Sequence, residues 1–328
     1  MIGEFDIIAR YFAPLANGFK GAFSLGDDAA IIETPEGVVT KDLLVEGVHF
    51  RAKDPIGAVA KKALRVNLSD LAAKGARPVG YLLGLVWPAN VKEEAIAEFA
   101  AGLAEDQELF KIALIGGDTT MHRQKGAPLT ISVTIIGTAD PSRLIRRSGA
   151  RIGDDVYISG TIGDAGLGLA ALSGEFKFSG ADKSQLVERY QIPLPRLSLG
   201  GALSGHASAA IDVSDGLIAD IGHIAEQSNA AIELYADKLP LSDAARAWLA
   251  KREDPHAGLA SLASFGDDYE IAFTAPPARR RSIEMAAQVT KTQITRIGAV
   301  VKGAGVRFLS ADGEPIEFDR GGYDHFGR

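Results

Sequence analysis

Apolar positions along the chain follow two rhythms. Short runs rich in Val, Ile and aromatic residues predict strands at Val38–Thr40, Tyr81–Val86, Ala113–Ile115, Leu129–Ile136, Asp155–Ser159, Ala209–Val213, Tyr269–Thr274 and Arg296–Val301. Longer segments with an apolar residue every third or fourth position predict helices at Asp54–Leu68, Val91–Phe110, Gly166–Leu172, Gly216–Ser228 and Pro277–Val289. The first helix has a well-marked start, because Asp54 can cap it and Pro55 suits its first position. Strands alternating with helices predict an α/β (α+β) fold. The pattern breaks near residues 138 to 154, where TADPSRLIRRSGARIGD brings Pro, Gly and clustered charge, so two domains are expected, at residues 1–140 and 150–328.

Composition narrows the class. With 328 residues, 46% of them hydrophobic, the chain can bury two substantial cores, and it has no low-complexity tract. It contains no cysteine, which excludes disulfides, thiolate metal sites and cysteine nucleophiles. The net charge of −7 opposes nucleic-acid binding, which depends on Lys and Arg displacing counterions. No secretory leader and no apolar run long enough to span a membrane is seen, so a cytoplasmic protein without membrane contacts is expected.

The distinctive chemistry is a set of aspartates beside glycine or hydroxyl residues, at or near the ends of predicted strands. They are GDDAA (Gly26 to Ala30), TKD (Thr40 to Asp42), NLSD (Asn67 to Asp70), GGDTT (Gly116 to Thr120) and DVSDG (Asp212 to Gly216). Any one of these could be a turn residue or a helix cap. Five together suggest carboxylates gathered around cations, since like charges in one place repel unless something neutralises them. Oxygen ligands without His or Cys favour Mg²⁺ or Mn²⁺, and Mg²⁺ usually shares its remaining positions with phosphate.

The phosphate site has none of the common signatures. There is no GxxxxGK[ST] loop, and no HRD or DFG of a protein kinase. GLGLAA (Gly166 to Ala171) formally matches a dinucleotide fingerprint but lacks a suitably placed acidic residue, so a tight packing turn is the simpler reading. His49 ends the run DLLVEGVHF, seven residues after Asp42, and is a candidate substrate contact.

Taken in order, the strings GEFDIIARYF, GDDAA, DLLVEGVHF, KALRVNLSDLAAKGARP, LIGGDTT, RRSGARIGD, AIDVSDGLIADIGHI, GDDYEIAFT and GYDHF resemble the thiamine-monophosphate kinases. These belong with aminoimidazole ribonucleotide synthetase and selenophosphate synthetase in one superfamily, and the resemblance runs over nearly the whole chain. It implies a two-domain aminoimidazole ribonucleotide synthetase-like fold, a homodimer formed through the N-terminal sheets, and a site between the domains. It further implies ATP and several Mg²⁺ ions as cofactors, with thiamine monophosphate as the small-molecule substrate. By the same resemblance Asp28, Thr40, Asp42, Asp70, Asp118, Asp212 and Asp215 match metal ligands, and Gly117, Asp118, Arg147 and Ser214 match nucleotide contacts. His49, Asp267 and Tyr323 would meet the thiamine phosphate.

Two positions depart from the family pattern: Lys41 stands where a hydroxyl residue is usual, and Asp267 where Glu is frequent. Lys41 is either a fixed cation toward an ATP phosphate or a side chain turned to solvent or to a nearby carboxylate. The expected reaction is in-line transfer of the ATP γ-phosphoryl group to the substrate's phosphate, with Asp42 and Asp118 as the metal-holding catalytic residues and ADP released. Competing readings are another ATP-dependent superfamily enzyme, such as aminoimidazole ribonucleotide synthetase, or a Mg-nucleotide-binding module without turnover.

Overall fold

A computed structural model describes residues 8–17, 19, 36–318 and 321–323. Contacts divide the chain into two compact units, Met1–Leu71 with Ala76–Pro141, and Ala72–Gly75 with Ser142–Arg328.

The first unit is a four-stranded sheet with two long helices. Its elements are β1 (Gly37–Val45), α1 (Ile56–Ala73), β2 (Arg77–Trp87), α2 (Glu93–Phe110), β3 (Ala113–Met121) and β4 (Thr130–Thr138). Among the described residues the strand order is β1-β4-β2-β3, with β1 and β3 at opposite edges. One face of the sheet is apolar and buried, carrying Tyr81, Leu83, Leu85, Ile131, Val133 and Ile135. Trp87, on the same face, meets Phe99 of α2 edge to face at 5.4 Å. Helices α1 and α2 come together at a glycine pair, where a Cβ on Gly102 would lie 2.4 Å from the Gly57 carbonyl oxygen. A buried fork also joins them, with Arg65 donating to both oxygens of Asp106 at 2.7 Å.

The second unit holds β5 (Asp155–Ser159), α3 (Asp164–Ser173), α4 (Gly180–Gln191), α5 (Leu197–Leu203), β6 (Ala209–Asp212), α6 (Leu217–Gln227) and β7 (Ala231–Tyr235). It continues through α7 (Asp243–Leu249), α8 (Pro255–Ser264), β8 (Ile271–Ala275), α9 (Arg280–Thr290), β9 (Ile294–Val301) and β10 (Gly305–Leu309). The six strands are ordered β10-β7-β9-β5-β8-β6. Strands β5, β6 and β8 are buried along their whole length, which requires both sheet faces to be covered. One core contains Ile211, Val213, Ile221 and Trp248, and the other contains Tyr157, Leu199, Phe273 and Ile283.

Several element bounds differ from those the apolar pattern predicts. Helix α1 runs five residues past Leu68, so Asn67 and Asp70 lie inside it, and strands β1 and β3 run on through TKD and GGDTT. These aspartates therefore sit within strands rather than at strand ends. GLGLAA is the body of α3 and not a turn: Gly166 sits against the Phe265 ring, and a Cβ on Gly168 would lie 2.1 Å from the Leu186 carbonyl oxygen. Its glycines permit packing, which accounts for the fingerprint without a dinucleotide.

Asp155 at the start of β5 shows how the second unit ties its surface to its sheet. Its carboxylate accepts from Arg280 at 2.7 and 2.8 Å and from Arg296 at 3.3 Å. The hydrogen bond from Arg280 is the main cause holding the Asp155 carboxyl below the ordinary carboxylate range. A depressed folded value contributes stability above the unfolded pKa of about 4, and that contribution is lost as pH falls through the folded value. Asp155→Asn is therefore expected to lower the melting temperature at pH 7 and to have a much smaller effect in strong acid, measured by thermal melts across pH. Both arginines are half exposed, so solvent screening limits the size of the effect.

Candidate active site

In the first unit, the pleat of β1 sorts the TKD residues by face. The Thr40 hydroxyl donates to the Asp70 carboxylate of α1, and the Asp42 amide donates to Asn67 Oδ1 at 3.0 Å. Asn67 is itself fixed, because its Nδ2 donates to the Ala63 carbonyl at 3.1 Å. Asn67 and Asp70, one helical turn apart, thus brace alternate residues of the strand and put Thr40, Asp42 and Asp70 on the helix side. Just beyond the strand, His49 Nδ1 accepts the Val45 amide at 3.0 Å, so a neutral ring carries its proton on Nε2.

Lys41 points the other way. Its ammonium donates to the Ser132 hydroxyl of β4, on the open face of the sheet. Adjacent strand residues face opposite sides, so the Lys41 ammonium is turned away from the Asp70 carboxylate on α1.

Asp118 lies on that open face as well. It pairs with Gly84, where an added Cβ would meet the Ser132 side chain, and the next residue, Thr119, bonds Trp87 Nε1 on the helix side. Asp42 and Asp118 are on opposite edge strands, three strand spacings or about 14 Å apart, and on opposite faces. Within one chain they cannot hold the same cation. Asp28 lies outside the described residues.

In the second unit, backbone hydrogen bonds assemble the candidate residues around the loop after β6. The Ser214 carbonyl accepts the Asp267 amide and the Asp215 carbonyl accepts the Tyr323 amide, both at 2.8 Å. The four residues read as nucleotide, metal and substrate contacts are therefore neighbours through the main chain. Close approach demands glycine here: Gly216 has φ of 137°, and a Cβ on Gly266 would lie 2.5 Å from the Ser214 carbonyl oxygen. Asp212 closes β6, and Arg147 is exposed beside that strand, since the neighbouring Arg146 carbonyl accepts the Ala210 amide at 2.9 Å.

The group that shapes this loop is Asp220, which has no motif of its own. One oxygen of Asp220, in the first turn of α6, accepts the amides of Ser214, Asp215 and Gly216 at 3.0, 3.0 and 3.1 Å. Burial, with Asp215 nearby, pushes the Asp220 carboxyl up to about 7 although the three amides pull it down. Its signal in the sequence was an acid placed among apolar residues in DGLIADIGHI.

The candidate ligands are all oxygen donors, which suits a hard cation such as Mg²⁺. Among the described residues no three His, Cys, Asp or Glu side chains converge on one point. That is compatible with Mg²⁺, which takes few protein carboxylates and completes its shell with water and phosphate.

The chain matches the models of the AIR synthase related protein N-terminal domain over residues 26–139 and C-terminal domain over residues 151–309. It is thus a two-domain protein of the AIR synthase related class. A thiamine-monophosphate kinase of Caulobacter vibrioides is 45% identical over 306 residues, covering 92% of this chain and 85% of that protein. The crystal structure of a thiamine-monophosphate kinase from Stenotrophomonas maltophilia is similar, with a TM-score of 0.80 and 40% identity over 89% of this chain and 90% of that one. So is AaThiL complexed with AMPPCP and TMP, with a TM-score of 0.78 and 31% identity over 99% of this chain and 97% of that one. The chain belongs to the thiamine-monophosphate kinase family.

Removing the Asp220 carboxylate strands three amides. Asp220→Ala is expected to cost on the order of 3 kcal/mol in denaturant unfolding and to speed hydrogen exchange at residues 214–216. Asp220→Asn, which keeps an acceptor oxygen, should lose about half as much.

Proposed function

We propose that this protein transfers the γ-phosphoryl group of ATP to thiamine monophosphate, giving thiamine diphosphate and ADP. The observation that carries this reading is the likeness over 99% of the chain to AaThiL, a protein complexed with AMPPCP and TMP. The gathering of Ser214, Asp215, Asp267 and Tyr323 about one loop supports it.

Donor and acceptor are both phosphates, so the problem for the protein is charge and position rather than covalent chemistry. The acceptor oxygen is already ionised near neutrality, its second pKa being about 6, and no general base is required. Several Mg²⁺ ions are expected: Thr40, Asp42, Asp70 and Asp118 would be ligands in the first unit, and Asp212 and Asp215 would be ligands in the second. The ions would supply neutralisation of the phosphate charge. Arg147 adds a fixed cation and Ser214 a contact to the nucleotide phosphates. His49, with its Nε2 proton, and Asp267 and Tyr323 orient the thiamine phosphate. Lys41 is left out of the nucleotide site, since its ammonium is engaged by Ser132.

A homodimer completes this scheme. The open face of the first unit's sheet exposes Val39 (63%), Leu43 (52%) and Leu82 (38%), an apolar surface that a second copy would cover. Asp118 stands on that same face and is presented to whatever packs there. In a symmetric pair, the Asp118 of one subunit serves the Asp42 set of the other past the edge of β1, so the two carboxylates no longer have to reach one cation from opposite edges of a single sheet. A biosynthetic role of this kind also agrees with a cytoplasmic protein, and no helix among the described residues is long and apolar enough to cross a membrane.

A coupled assay with product identification tests the activity. Thiamine monophosphate with ATP should give thiamine diphosphate and ADP, whereas unphosphorylated thiamine and formylglycinamidine ribonucleotide should not react. AMP as the main nucleotide product, or turnover of the ribonucleotide instead, would overturn the reading. Asp42→Asn and Asp118→Asn should each lower kcat by about a hundredfold or more, roughly 3 kcal/mol. Leu43→Glu should shift the protein to monomer in light scattering and lower activity with it. A dimer that persists in that variant would place the interface elsewhere.

A further inference from the structure

In the segment 266–270, Gly-Asp-Asp-Tyr-Glu, side chains alternate between two environments. Asp268 and Glu270 are fully buried at 0% exposure, while Asp267 and Tyr269 are only half-buried. Asp267 and Tyr269 also have left-handed backbone, with φ of 69° and 49°. Such a conformation costs a residue with a Cβ about 1–2 kcal/mol and survives only where the surroundings impose it.

The two buried acids supply that imposition. Glu270 takes a two-pronged grip from Arg196, at 2.7 and 2.6 Å, a further bond from Arg189 at 2.9 Å, and the Ser159 hydroxyl at 2.6 Å. Gly160 makes room for it, since a Cβ there would sit 2.1 Å from Glu270 Oε1. Asp268 accepts the amides of Gly163 and Ala165 at the start of α3, at 2.7 and 3.2 Å. Arg189 spans both acids by donating also to the Asp268 carbonyl at 3.2 Å. On the other side, the Asp267 and Tyr269 amides donate to the Ser214 and Val213 carbonyls. The segment is therefore stapled from below by two buried acids and laced from above to the loop carrying Ser214 and Asp215.

We propose that Arg196 and Arg189, acting through Glu270 and aided by Asp268, are positioning residues that fix Asp267 in its left-handed conformation and so set the grip on the acceptor. None of the four touches substrate in this scheme. Because Asp267 replaces the longer Glu frequent in the family, its carboxylate has less reach, and its backbone placement governs contact more tightly. The inference rests on the reading of Asp267 as the contact to thiamine monophosphate.

Two variants test it. Arg196→Lys keeps the cation but cannot reproduce the planar fork, and Glu270→Gln keeps the shape without the charge. Each is expected to raise the KM for thiamine monophosphate about tenfold while kcat and the KM for ATP change less than about threefold. Amide exchange across residues 265–270 should quicken in both. If Glu270→Gln does not fold, Arg196→Lys decides alone. An unchanged KM for thiamine monophosphate, with only the melting temperature lowered, would reduce the cluster to a structural support and overturn the proposal. Should the unaltered enzyme fail to use thiamine monophosphate at all, the functional reading falls first. The staple is then judged by exchange: faster exchange at 265–270 sustains it, and unchanged exchange overturns it.

Discussion

The pleat of the edge strand β1 is the constraint from which the first unit's chemistry follows. Residues two apart share a face, so Thr40 and Asp42 meet the braces that α1 offers in Asp70 and Asn67, and Lys41 between them must face away. The same register carried across four strands puts Asp118 on the far edge and the open face. A carboxylate set that reads as one cluster along the sequence is thereby divided. The proposed second copy on the open face would bring the divided carboxylates together, and it would also cover Val39 and Leu43, which stand exposed on that face.

The second unit solves a different problem, that of presenting polar groups from loops without losing their positions. It does so with buried acids. Asp220 collects three amides so that the loop after β6 keeps one shape, and Glu270 with Asp268 does the same for the segment before β8. A buried carboxylate is stabilising only while its partners are present, and removing one partner leaves an uncompensated charge. The arrangement therefore trades tolerance of mutation for fixed geometry, a reasonable bargain where phosphoryl transfer depends on placement.

How much of this the sequence reveals depends on what each residue must do. DVSDG was legible because the apolar run Ala209–Ile211 delivers Asp212 at a true strand end. Polar residues interrupt the apolar runs at TKD and GGDTT, which places them at or near strand ends by pattern, yet β1 and β3 continue through them. There polar residues stand inside strands, against the usual strand composition. Helix α4 was missed because it is mostly polar, with only Leu186 and Tyr190 buried, and so shows little apolar rhythm. It carries Arg189, whose partner Glu270 is 81 residues away, a pairing no local pattern can announce. Asp220, Asp268 and Glu270 each lie inside strings that carry the family resemblance, but residues that act through amides or through arginines distant in sequence have no spacing signature of their own.

The division of the carboxylates between two subunits is the central claim, and subunit mixing tests it most directly. Asp42→Asn and Asp118→Asn chains, each inactive as a homodimer, are unfolded together and reassembled. In a two-fold dimer that shares its sites, half of the random pairs unite one intact Asp42 set with one intact Asp118, restoring roughly a quarter of full activity. If the mixture stays as inactive as its parents while mixed dimers demonstrably form, Asp42 and Asp118 act within one chain and the account is contradicted.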